Sequence, residues 1–211
     1  YDKNPYGFKL FMVSAFIGPP RSGKTLTAIN LAKYLQEKKL ITEIILISPT
    51  ADNNPFHVLK IPEENIINDL DDIEDSLNQI LEYCKSEVNK WKNMKKSMNK
   101  KQYNKIYKDV YKLWELNEKH PELIDDEELL LTEEDNEMLV HNNYSKDPFY
   151  YKLGPSFLII LDDINGSDAI SDKKKNPLTQ IISNHRHRHI NLFILNQNYT
   201  KGIPANDRRL I

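Results

Sequence analysis

At 211 residues and 24.8 kDa, with 29 Lys and Arg against 31 Asp and Glu, the chain has a formal net charge of −2 and fits one large domain, or one domain carrying an insertion. Its 39% hydrophobic content supports a core that buries about 70% of the unfolded surface, and 28% charged residues with a mean hydropathy of −0.63 exclude a fully disordered chain. The longest purely apolar run, Phe157 to Leu161, falls far short of the roughly 20 residues that cross a bilayer.

No Lys/Arg-flanked apolar segment opens the chain, so neither a secretory leader nor a membrane partner is expected. Beginning at Tyr1 without an initiator Met, the sequence reads as an excised piece of something longer. The single cysteine, Cys84, excludes an internal disulfide and a thiolate zinc site, and fits a reducing compartment.

The first expected element is a strand, Leu10 to Ile17, apolar enough to be covered on both faces. A helix follows from about Gly23 to Glu37, with Leu26, Ile29, Leu31, Ala32 and Leu35 along one side. The second strand, Glu43 to Ser48, is closed by Pro49. Apolar residues from Leu70 through Ile73, Leu77, Leu81, Cys84 and Val88 keep the 3.6-residue period of a helix from about Asp69 to Trp91. Another helix is expected around Lys101 to Glu118, with Tyr103, Ile106, Tyr107, Val110, Tyr111 and Trp114 on a packed face. Phe157–Leu161 and Leu192–Leu195 supply a third and a fourth strand. Short β-like runs alternating with helical patterns predict an α/β fold with a mainly parallel sheet.

Charge is segregated in the middle of the chain. Lys85 to His120 carries eleven lysines against four acids; Pro121 to Glu137 carries nine acids and no base. Such segments are usually solvated faces. The expected layout is a core over 6–84 and 154–211, interrupted by a basic helical and acidic loop insertion over 85–153.

The strongest chemical signal is Gly18-Pro19-Pro20-Arg21-Ser22-Gly23-Lys24-Thr25, which matches G-x-x-x-x-G-K-[ST] between a strand and a helix. Glycines let the backbone wrap closely around phosphate oxygens, and successive N–H groups with the positive end of the next helix, including Leu26, hold the charge. In this pattern Lys24 reaches the β- and γ-phosphates of a nucleotide such as ATP, and the Thr25 hydroxyl ligates Mg²⁺. The second signal is the strand Phe157–Leu161 ending in Asp162-Asp163. It delivers two acids to the carboxyl edge of the sheet, where ligands bind in doubly wound folds. Asp162 is the expected Mg²⁺ carboxylate, and Asp163 is positioned to orient or deprotonate a water.

Other nucleotide-binding classes lack their signatures. Asn104-Lys105-Ile106-Tyr107 lacks the Asp of a guanine-reading motif, and no arginine for a kinase lid lies between Arg21 and Arg186. Near the C-terminus, Asn184-His185-Arg186-His187-Arg188-His189 leads into a strand that ends Asn196-Gln197. Gln197 is expected beside the Asp162 and Asp163 strand end, where an amide can sense the γ-phosphate. In a chain with 24 lysines, four of the five arginines stand at positions 186, 188, 208 and 209. The planar guanidinium suits transition-state phosphate better than an ammonium does. His185, His187 and His189 alternate, but no nearby carboxylate or Cys completes a metal site.

Together, GPPRSGKT, the ILIS-Pro49-Thr50 strand end, LIILDDI and RHRHINLFILNQN resemble the FtsK–HerA superfamily of P-loop ATPases, most closely the poxvirus-type genome-packaging ATPases of large DNA viruses and virophages. The resemblance covers about two-thirds of the chain and excludes the insertion. It implies a RecA-like core, a homo-oligomeric ring (hexamer or pentamer), double-stranded DNA pumped through its centre, capsid proteins as partners, and a place in the virion or the host cytoplasm. It also implies Gln197 as sensor and an arginine finger donated to a neighbour's ATP, carried first by Arg186, then Arg188, with Arg208 a weaker candidate. Asn196 stands where Thr is common, and Asp163 where many members have Glu. The competing expectations are a phosphotransferase acting on a nucleotide or small molecule, another DNA-pumping ATPase, and a nucleotide-gated binding module.

Overall fold

The computed structural model describes residues 9–51, 55–69, 73–119, 147–164 and 176–197. Within them the chain divides into a sheet unit, Tyr1–Val88 with Ser156–Ile211, and a helical unit, Asn89–Pro155; the charge pattern alone puts that insertion at 85–153.

The sheet unit runs β1 (Val13–Ile17), α1 (Lys24–Glu37), β2 (Glu43–Ile47), two 3-10 turns (Pro55–Leu59 and Glu63–Asn65) and β3 (Ile66–Ile67). The helix α2 (Ile73–Ser97) follows, and its residues through Val88 belong to this unit. After the insertion come β4 (Phe157–Asp162), α5 (Pro177–Asn184) and β5 (Ile190–Asn196). All the strand pairs are parallel, in the order β1-β5-β4-β2-β3. The expectation of an α/β fold with a parallel sheet flanked by helices is met.

A parallel sheet needs cover on both faces, and the period-2 alternation of its strands supplies two apolar surfaces. Ile45, Ile47, Phe157, Ile159, Leu161, Leu192 and Ile194 pack with α2 (Ile73, Leu77, Leu81, Cys84) and α5 (Leu178, Ile181, Ile182). Ile44, Leu46, Leu158, Ile160, Phe193 and Leu195 pack with α1 (Ala28, Leu31, Ala32, Leu35) and with Phe56 and Leu59. Each large side chain fully removed from water contributes about 1.5–3 kcal/mol.

Two boundaries differ from expectation. The strand expected from Leu10 starts at Val13 because Phe11 has a φ of 60° and donates its N–H to Asn191 Oδ1 at 2.8 Å instead of to a ladder. The helix expected to stop at Trp91 continues to Ser97, since Met94 gains a buried position. The short β3 and α5 are additions to the expected elements. For α5 a signal exists: Asn176 Oδ1 accepts from Thr179 N at 2.6 Å, and Pro177 takes the first turn.

The helical unit holds the rest of α2, α3 (Lys100–Lys119) and α4 (Pro148–Leu153). Asn99 and Gln102 form a reciprocal cap at the start of α3: Asn99 Oδ1 accepts from Lys101 N and Gln102 N, and Gln102 Oε1 accepts from Asn99 N. Met94, Ile106, Val110, Leu113, Tyr150 and Tyr151 form a separate small core. Tyr103 packs against it and donates its hydroxyl to the Tyr151 carbonyl. Most of the aromatic stripe is therefore spent on packing, as expected, although Tyr111 remains 39% exposed. The acidic stretch 121–137 lies outside the described residues. No described helix is long and apolar enough to cross a membrane.

Candidate functional site

The carboxyl edge of the sheet gathers the motif residues because parallel strands all end on the same side. β1 ends at Ile17, and the loop from Gly18 to Gly23 leads straight into α1. At Gly18 a Cβ would stand 2.7 Å from Ser22 Oγ and 3.3 Å from Ser22 Cβ, so a larger residue there would require the Ser22 side chain to move. Gly23, the residue before α1, has a φ of 88°, a left-handed conformation that side chains rarely adopt. No side chain caps α1 and no acid stands in its first turn. Its leading N–H groups and positive dipole end are thus left for an external anion. Lys24 Nζ donates to the carbonyls of Gly18 (2.8 Å) and Pro19 (3.0 Å), which pulls its charge over the loop.

The strand order brings the second half of the site to this loop. Lying between β1 and β4, β5 holds both with its last carbonyls: Gly18 N donates to Asn196 O at 3.2 Å, and Asp163 N to Leu195 O at 3.4 Å. A concavity of about 280 Å³ results, lined by Pro20, Arg21, Lys24, Thr25, Thr50, Asp162, Asp163, Leu195, Asn196 and Gln197. That is near the lower limit for ligand pockets, roughly 300 Å³, and its lining is largely polar. It suits a polyphosphate better than a whole nucleoside.

Asp162 closes β4 and is 6% exposed. Burial pushes its carboxyl above the ordinary carboxylate range. A hydrogen bond from Ser48 Oγ (3.3 Å) and the charge of Lys24 act against that rise, and the neighbouring Asp163 adds to it. Asp163 itself takes a φ of 52° directly after the strand, a conformation that short acidic side chains tolerate. Ser48 is fully buried and also accepts from Thr50 N at 3.3 Å. Ser48 and Thr50 belong to the ILIS-Pro49-Thr50 strand end that carries part of the resemblance, but the sequence assigns neither a role. The available signal is a polar residue closing the apolar run of β2, as Asp162 closes β4.

As a metal site, the donors are two carboxylates and the Thr25 hydroxyl. No group of three His, Cys, Asp or Glu converges anywhere among the described residues. Such a set is too small for a self-contained cage and fits Mg²⁺, which takes one or two carboxylates and completes its shell with phosphate oxygens and water.

Of the expected residues, Pro20, Arg21, Lys24, Thr25, Asp162, Asp163 and Gln197 line one concavity, and Gly18, Ser22 and Gly23 shape its loop. Pro19 contributes a carbonyl to Lys24. Leu26, 58% exposed, is not among the lining residues. Arg186 and Arg188 precede β5 and therefore stand at the amino edge, roughly 20 Å along the strand from Gln197. They do not join their own chain's site. Arg188 Nη1 donates to the Leu81 carbonyl at 2.8 Å, with Glu82 at 3.9 Å, whereas Arg186 is exposed. Arg208 lies outside the described residues. The histidines do not converge either: His185 Nδ1 meets the Ile182 carbonyl and His189 stacks on Phe11. Compared with known families, curated proteins and solved structures, the chain finds no match.

Proposed function

We propose that this chain is an ATP-hydrolysing motor with a RecA-like core that translocates double-stranded DNA, with packaging of a viral genome into a capsid as its setting. The observation that carries the proposal is the convergence of an uncapped helix start, Lys24 and Thr25 with Asp162, Asp163 and Gln197 at one sheet edge. A glycine turn closing a strand would need neither the buried carboxylate of Asp162 nor the polar end of β5 beside it.

In this reading the N–H groups from Gly23 to Leu26 and the Lys24 ammonium bind the triphosphate, and Thr25 and Asp162 hold Mg²⁺. A Mg²⁺ held by Thr25 and Asp162 would supply charge neutralisation to the phosphates. Asp163 orients the attacking water and accepts its proton, while Gln197 donates an amide N–H toward the γ-phosphate. Arg186, on the opposite edge, acts only on a neighbouring subunit's nucleotide, which is why a ring is part of the proposal. The DNA-pumping setting rests on the sequence resemblance.

The test is calorimetry with magnesium nucleotide followed by hydrolysis assays. Asp163→Ala is expected to leave nucleotide affinity within a few-fold and to lower turnover by about 10²–10⁴-fold. Duplex DNA should raise the parent's turnover. Phosphate transfer to a small acceptor would instead identify a phosphotransferase, and unchanged turnover in Asp163→Ala would remove Asp163 from the chemistry.

A further inference from the structure

Over its full span, Asn89–Pro155, the helical unit is near neutral, with 12 lysines against 13 acids, but its basic residues are concentrated in 89–119, where ten lysines stand against Asp109, Glu115 and Glu118. On α3 this charge is ordered. Lys101, Lys105, Lys108 and Lys112 recur at intervals of four, three and four residues, and all four are exposed. At 3.6 residues per turn they fall within an arc of about 60°, centred opposite the buried Val110. The row is about 16 Å long at 1.5 Å per residue. Lys119 lies on the same line and is paired with Glu115 at 2.6 Å.

We infer that this lysine row on α3 is a contact surface for the phosphate backbone of duplex nucleic acid. The inference deepens the DNA-motor reading and rests on it for the choice of DNA. A duplex presents one charge per about 1.7 Å of axis, so a rigid line of about ten phosphate charges lies alongside a row of this length. Lysine's compact, hydrated ammonium makes undirected contacts to phosphates that carry no sequence information. A protein that moves along DNA needs contacts of that kind. A membrane surface fits less well. Helices that lie in lipid bury an apolar face there, whereas the apolar face of α3 (Ile106, Val110, Leu113) is consumed by the unit's own core.

The test uses the full chain and a short fluorescent duplex, with affinity read by anisotropy between about 50 and 200 mM salt. Replacing Lys101, Lys105, Lys108 and Lys112 together by Gln is expected to weaken binding at least about tenfold and to flatten the slope of log K against log salt by up to about 3.6, or 0.9 per contact. The matching Lys→Arg set should keep both affinity and slope. Gln at the exposed sheet-unit residues Lys33, Lys38, Lys39 and Lys60 should cost much less. An unchanged slope in the α3 set, or an equal loss in the sheet-unit set, overturns the inference. So does an absence of duplex binding by the parent, whatever neutralises the row, the acidic run 121–137 included. Binding to phosphatidylserine vesicles that the α3 set abolishes, with duplex binding intact, reassigns the row to lipid and also overturns it. Calorimetry with magnesium nucleotide on the same samples keeps the two readings apart. Nucleotide and duplex binding by the parent with an unchanged slope in the α3 set sinks the lysine row alone, whereas a parent that binds duplex but no nucleotide sinks the motor.

Discussion

At Asp162, two requirements pull against each other. The carboxylate must be charged to hold a cation, yet it sits almost fully buried at the end of β4, where burial raises its pKa. The Ser48 hydroxyl and Lys24 offset part of that cost. Asp162→Asn keeps an oxygen for Ser48 and removes the charge, so it is expected to melt at a higher temperature than the parent at pH 7 while losing affinity for magnesium nucleotide. The sign of the pH dependence follows from the raised pKa. The parent's penalty is complete above the folded-state value and disappears below the unfolded value near about 3.9. The variant's advantage should therefore shrink as pH falls from 7 through the carboxylate range. Thermal melts across that range check it, and an advantage independent of pH would assign the effect to packing. The motif spacing makes Lys24, Thr25 and Asp162 legible from sequence because a phosphate and its metal demand those chemical types at those separations. Ser48 was not legible, since its role exists only where β2 and β4 end side by side.

Among the elements, β5 serves both edges of the sheet. Its carboxyl end binds the phosphate loop and Asp163, while the turn before its amino end is tied to α2 through Arg188. In the sequence, Arg188 looks like a second candidate finger because arginine is scarce and the site needs a planar cation. In the fold its side chain is only 16% exposed and its guanidinium satisfies the Leu81 carbonyl. Arg188→Ala is accordingly expected to lower unfolding stability by about 2 kcal/mol, the cost of losing a hydrogen bond from a charged donor, and to leave nucleotide affinity unchanged. Chemical denaturation measures the first and calorimetry the second. Full stability combined with a loss of oligomer-dependent hydrolysis would restore it as a finger. Helix and strand types were readable wherever a long period was kept, as in α1, α2 and α3. Two-residue β3 and the single turns have too few residues to show a period, and the start of β1 was moved by a backbone contact to Asn191, 180 residues away.

For the whole molecule, the proposed ring makes a prediction that no single chain can fulfil. With a non-hydrolysable ATP analogue and duplex DNA present, particle mass should rise from 24.8 kDa to that of five or six copies bound to DNA. Light scattering or mass photometry reads this directly, and a particle that stays monomeric under those conditions excludes a finger supplied in trans. Continuous apolar runs alternating with helical stretches by themselves indicated a parallel sheet covered on both faces, and the Gly-Lys-Thr and Asp-Asp strings indicated which chemistry stands at strand ends. Both are local consequences of side-chain period and donor type. Strand order was decided only in three dimensions. Nothing in the linear pattern dictates that the last described strand, β5, inserts between β1 and β4, because that choice depends on how the covering helices share the two sheet faces. The insertion brings Gln197 beside Asp162, so the tertiary structure decided which of the chemically suited residues at the carboxyl edge can act together.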